Sequence, residues 1–250
     1  GRHFYVGSGT NAVFTLTRVK LTGGYKDEDI TTNGQRGGSI YHQRGKVVVI
    51  DSWFFNNRAY GGGAIFVEAY GGDVTLELID TNVTNNQATH SSGSGGGILA
   101  GDSSYAHTVT MSGGELSHNE AGKNGGGVSC GDAYATVSCT FTNVLIKQNT
   151  APSGSGGGVF IGSDSNVQMR QVTFEDNSAA SGRQVYRLSD DSAAYAIVNS
   201  KVVNAPSDTS NFMNVDPSCA SSPCTVAPFT STCSVDAPGI VCQCGTDSSG

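Results

Sequence analysis

Charge is scarce in this sequence. Only 14% of its 250 residues are Asp, Glu, Lys or Arg, and the formal balance is −7. A sparse, acidic charge set argues against nucleic-acid binding and against an electrostatic grip on anionic membranes. Long apolar runs are missing as well. No stretch approaches the ~20 residues that a membrane-crossing helix needs, and no signal peptide is visible. Glycine is abundant at 35 residues, yet the Gly-X-Y period of collagen is absent. There is no Gly-x-Ser-x-Gly nucleophile elbow. The Gly-Ser runs are not followed by Lys-Ser or Lys-Thr, so they do not read as phosphate loops. The chain begins at Gly1 without Met and stops at Ser-Ser-Gly, which we read as a mature or excised piece of something longer.

What is present is a repeat of about thirty residues. An apolar-x-x-Asn-x-Ala word occurs at Phe54/Asn57/Ala59, Val83/Asn86/Ala88, Leu116/Asn119/Ala121, Ile146/Asn149/Ala151 and Phe174/Asn177/Ala179. Ile30 and Asn33 give a partial sixth copy. Glycines follow each copy, as at Gly61-Gly62-Gly63 and Gly125-Gly126-Gly127, and then an Ile or Val resumes.

Upstream of each Asn the spacing is invariant. Val47, Leu76, Val109, Cys139 and Val167 stand ten residues before it; Val49, Leu78, Met111, Phe141 and Met169 stand eight before it. Apolar residues two apart share one face of a strand. Between the Asn and the glycines the length varies, from "RAY" to "QATHSSGS", which marks a surface loop. Fixed strands and one variable corner predict an all-β parallel solenoid in which equivalent residues stack in internal columns. The Asn column, Asn33, Asn57, Asn86, Asn119, Asn149 and Asn177, is expected to be structural. Each Asn would adopt left-handed angles at a corner and bond main chain in the adjacent coils. The glycines would supply positive φ at the next corner.

The words "FFNN", "FEDN" and "GGGAI" resemble the FxxN and GGA(I/L/V) repeats of the chlamydial polymorphic membrane proteins, which also occur in β-helix proteins of other microbes. The resemblance covers about residues 30 to 190. It implies a right-handed parallel β-helix, in line with the usual hand of parallel crossovers. On this reading residues 1–205 form the β-helix, 206–218 a linker or cap, and 219–250 a small disulfide-rich module.

That last segment holds five of the seven cysteines: Cys219, Cys224, Cys233, Cys242 and Cys244. Such clustering favours an oxidising, extracellular compartment. The spacing resembles the first five cysteines of an EGF-like module. The resemblance implies bridges Cys219–Cys233 and Cys224–Cys242, with the partner of Cys244 outside the fragment. A generic disulfide knot is the alternative reading. Paired C-x2-C spacings for zinc are lacking. Cys130 and Cys139 both fall at inward positions of one coil, either as a bridge across the core or as two buried thiols. Asn82-Val83-Thr84 is the one glycosylation sequon.

No catalytic constellation emerges. Polygalacturonase-like enzymes need a Gly-His-Gly that is missing, and Arg18-Val19-Lys20 stands at the wrong end of the chain. The Asp27-Glu28-Asp29 run reads as a solvated loop rather than a metal site. His90 and His118 lie near Asn86 and Asn119 in successive coils, with no evident nucleophile. Trp53, Tyr60 and Tyr70 have the chemistry to touch sugar, but packing against the rod is the expected use. The sequence therefore predicts an extracellular, cell-surface structural or adhesive module without cofactor or metal. Its expected partners are other copies of itself, other extracellular proteins or glycans, with adhesive contacts placed on variable loops such as Thr89 to Ser94. The alternative is a polysaccharide-degrading lyase or hydrolase.

Overall fold

The computed structural model describes residues 1–7, 12–26, 36–101, 105–131, 136–188, 194–198, 200–203, 212–213, 231–236 and 239–244. Among these residues there is no helix, and the strands form a parallel β-solenoid. Three sheets run along it. The first contains Phe4–Val6, Ile40–His42, Ile65–Val67, Ile98–Ala100, Val128–Cys130, Val159–Ile161, Val185–Arg187 and Phe212–Met213. The second contains the longest strands, Val74–Thr84 and His107–Ser117, flanked by Gly45–Ile50, Val137–Thr142 and their neighbours. The third is made of short strands such as Arg58–Ala59, Gln87–Ala88 and Glu120–Ala121. Phe212–Met213 pairs with the Val185 strand, so a solenoid strand lies within the stretch expected as linker or cap.

Register turns the repeat into columns. Val47, Leu76, Val109, Cys139 and Val167 are successive strand partners, and so are Val49, Leu78, Met111, Phe141 and Met169. All ten are buried. On the first sheet Ile40, Ile65, Ile98, Val128, Val159 and Val185 stack in the same way. Like side chains meeting like at the ~4.8 Å strand spacing fill the interior as a repeated layer.

Three bends of each full coil use a left-handed residue, besides the turn that leads from the first sheet back to the second. One corner holds Asp51, Asp80, Gly113, Asn143 and Gln171. The second holds Asn56, Asn85, His118, Gln148 and Asp176, the residue immediately before each column Asn. This corrects the sequence expectation: the column Asn is not itself left-handed. The preceding residue takes the strained angle, which frees the Asn side chain to point inward. The third corner holds Gly37, Gly62, Gly95, Gly125, Gly156 and Gly182. Only glycine suits it, because a Cβ on Gly95 would sit 2.3 Å from the Ile98 carbonyl oxygen.

Cys130 and Cys139 form a disulfide across the corner between the first and second sheets, with Cα atoms 6.3 Å apart. Near the end of the chain, Ser231–Asp236 and Gly239–Cys244 form an antiparallel hairpin in which Cys233 lies opposite Cys242. The pairings Cys219–Cys233 and Cys224–Cys242 involve Cys219 and Cys224, which lie outside the described residues; for Cys233, Cys242 and Cys244 only the backbone is described.

Candidate functional site

The candidates are the internal Asn ladder and a groove on the outer face of the second sheet. The ladder is continuous from Asn57 to Asn177. Each Asn Nδ2 donates to Oδ1 of the next Asn at 2.9–3.0 Å. The same Oδ1 accepts the backbone N–H of the preceding Asn. The second Nδ2 hydrogen reaches the other way, to the carbonyls of Leu21, Phe54, Val83, Leu116 and Ile146. All five side chains are buried. Each amide thus satisfies a main-chain N–H and a main-chain carbonyl of the preceding coil that would otherwise be unpaired in the core, and ties itself to the next coil through the neighbouring Asn side chain.

The ladder is closed at both ends by residues the repeat word does not reveal. At the start, Gly24 holds the rung before Asn57 and contributes only its N–H, donated to Asn57 Oδ1 at 2.8 Å. Asn33, the expected sixth member, lies outside the described residues. Ser39 Oγ also donates to Asn57 Oδ1. At the far end, Asn177 Nδ2 donates to Gln184 Oε1 at 2.6 Å. Gln184 is buried at the place where earlier coils carry Gly97, Gly127 and Gly158.

The groove lies on the opposite, solvent side of the wall. It is lined by Arg18, Lys20, Asp51, Ser52, Trp53, Asp80 and Asn82, and encloses about 270 Å³. That is below the ~300–1,000 Å³ of sites that envelop a ligand, so it is a platform rather than a pocket. Lys20, Trp53 and Asn82 are strand partners on three consecutive coils. Trp53 is 40% exposed. Its Nε1 donates to Thr84 Oγ1 at 2.7 Å, which fixes the indole. The Lys20 ammonium lies 4.8 Å from the ring centroid, and Phe55 packs at 5.7 Å. The expectation of packing against the rod therefore holds for one side of Trp53 and leaves the rest open.

Sequence reading did not assemble this groove, although a signal existed. Lys20, Trp53 and Asn82 each stand four residues before a ladder position, at Gly24, Asn57 and Asn86. Carrying the column count to outward positions would have brought them together.

The remaining candidates are dispersed. His90 stacks on Tyr60 at 4.1 Å and accepts the Ser92 N–H, while His118 is an exposed corner residue. Asp27, Glu28 and Asp29 lie outside the described residues. The loop from Thr89 to Ser94 lies along the rod, with Gly93 and Ser94 bonded to main chain of neighbouring coils. On the first sheet, Tyr41 donates to the buried Glu68 carboxylate, which also accepts from Gln43 Nε2 at 2.9 Å. Burial and Glu68 together push the Tyr41 phenol above its ordinary range. No cluster of three metal-ligating side chains occurs among the described residues.

Chemically, the groove offers an aromatic platform, two carboxylates, two cations and an amide, which suits contact with sugars more than covalent chemistry. No protein family, curated protein or solved structure matches the chain.

Proposed function

We propose that this chain is an extracellular structural or adhesive module, a rod segment of a cell-surface appendage, matrix or filament. The observation that carries the reading is the column-built solenoid, whose Asn ladder runs unbroken from Asn57 to Asn177. Phe4–Val6, Val13–Thr17, Lys20–Thr22 and Tyr25–Lys26 each pair on one side only among the described residues. The inward residues Phe4, Val6, Phe14, Val19 and Leu21 are only partly covered. Strand edges over an apolar interior are where a solenoid gains further coils, from its own chain or from another. The ladder and the disulfide supply the stiffness that a rod needs. The resemblance to polymorphic membrane protein repeats, and of the tail to an EGF-like module, supports a place among extracellular repeat assemblies. Imaging the purified native material tests the reading: ordered polymers support it, and a dispersed monomer that cleaves polysaccharide overturns it.

A second reading, a polysaccharide-degrading enzyme, is favoured by one observation: Asp51 and Asp80 line the same groove as Trp53. Assays of the isolated chain on pectic and alginate-type polysaccharides decide it, because loss of cleavage in Asp51→Asn and Asp80→Asn would be required.

A further inference from the structure

Asn82 is the unusual asparagine of this molecule. The ladder Asn side chains are buried and fully bonded, whereas Asn82 points outward, half-buried, and its amide has no hydrogen-bond partner among the described residues. It begins the sequon Asn82-Val83-Thr84. Its strand partner on the adjacent coil is Trp53, so the two side chains leave the same face of a parallel sheet at about 4.8 Å spacing. The indole leans toward the Asn82 strand, held by its bond to Thr84 Oγ1, and remains 40% exposed. Phe55 extends this apolar patch and Lys20 borders it.

We propose that Asn82 carries an N-linked glycan whose first N-acetylglucosamine lies on the exposed surface of Trp53. Three conditions meet here. The sequon supplies the acceptor, the free amide loses no internal bond when modified, and the neighbouring indole offers a flat apolar surface to the C–H face of a pyranose. In the transfer, Asn82 Nδ2 attacks the anomeric carbon of a polyprenyl-diphosphate-linked oligosaccharide. The N–C bond forms, the C–O bond to the diphosphate breaks, the lipid diphosphate leaves, and one amide proton passes to solvent. Thr84 is then both the sequon hydroxyl and the anchor of the platform. The seated sugar covers the Trp53–Phe55 patch and keeps this wall of the rod solvated.

The inference rests on the extracellular reading, and one sample separates the two. Peptide mapping of the native protein reads both Asn82 occupancy and the Cys130–Cys139 link. Occupied Asn82 supports the inference. Unmodified Asn82 beside an intact disulfide overturns the inference and leaves the extracellular reading standing; unmodified Asn82 with free thiols overturns both. Stacking is read separately, because Trp53 is the only tryptophan. In the full chain secreted from glycosylating cells, acrylamide quenching of Trp53 falls and its emission shifts to the blue relative to the Asn82→Gln variant. Equal quenching and emission in the glycosylated protein and the variant would sink the seating on Trp53.

Discussion

Asn119 sits at the centre of the ladder, and its side chain takes part in four bonds of it. It accepts from the N–H and Nδ2 of Asn86, and donates to the Val83 carbonyl and to Asn149 Oδ1. Asn119→Ala leaves the Asn86 N–H and the Val83 carbonyl without their partner in the core, while Asn149 Oδ1 keeps the backbone N–H of residue 119, and it lowers stability by about 1–3 kcal/mol in denaturant unfolding. Asn119→Asp keeps the two accepted bonds but faces the Val83 carbonyl and Asn149 Oδ1 with bare oxygens, so it destabilises at least as much as Ala. An unchanged midpoint for both variants would remove the ladder from any account of the fold. His42 gives a second residue-scale outcome. It is buried, its Nε2 donates to the Arg44 carbonyl, and its Nδ1 has no partner. Burial pushes the imidazole down to about 4, against backbone bonds that pull the other way. The unfolded chain therefore binds the proton first. Stability is full above about pH 6.5 and falls as pH drops toward 4, by about 3 kcal/mol in all. His42→Leu flattens that slope in pH-dependent unfolding. The ladder was legible in the sequence because its spacing is invariant. His42 was not, since an inward His at the end of a strand reads like any polar residue until its column, shared with Val67, is known.

At the level of strands and corners, the glycines divide into two jobs. Gly95 needs positive φ, while its neighbour Gly96 needs room: a Cβ there would lie 2.2 Å from the Gly126 carbonyl oxygen of the next coil. Gly96→Ala forces coils apart and costs about 1–3 kcal/mol, as overpacking does. Arg183 fills the equivalent place in the last glycine corner, after Gly182. Arg183→Gly should therefore change stability little by comparison, a contrast that thermal melts can read. The repeat word predicted glycine at this corner but not why it relaxes at the end. The reason is physical: Gly24, Ser39 and Gln184 close the ladder with a backbone N–H, a hydroxyl and a longer amide, none of which resembles the repeated Asn. The third sheet ends at Ser178–Ser181 among the described residues, next to this corner, although the Val185–Arg187 strand still pairs onward with Phe212–Met213.

Across the whole rod, coils touch mainly their neighbours, so stability is a chain of local contributions rather than one shared core. The disulfide Cys130–Cys139 is placed within that chain, with the Ala100 and Val109 strands on one side and the Ile161 and Val167 strands on the other. Closing so short a loop restricts the unfolded chain and contributes about 2–3 kcal/mol in the loop-entropy account. The consequence is a graded profile. In native-state hydrogen exchange, amides of the strands His107–Ser117, Val128–Cys130 and Val137–Thr142 exchange slowest, and protection declines toward Val13–Thr17, a strand that pairs on one side only among the described residues. A Cys130→Ser/Cys139→Ser variant should lose about that 2–3 kcal/mol. The loss should be concentrated in the coils flanking the disulfide, with the first coil unchanged. A uniform fall in protection from end to end would instead mean that the rod unfolds as a single unit, and the picture of locally coupled coils would have to be abandoned.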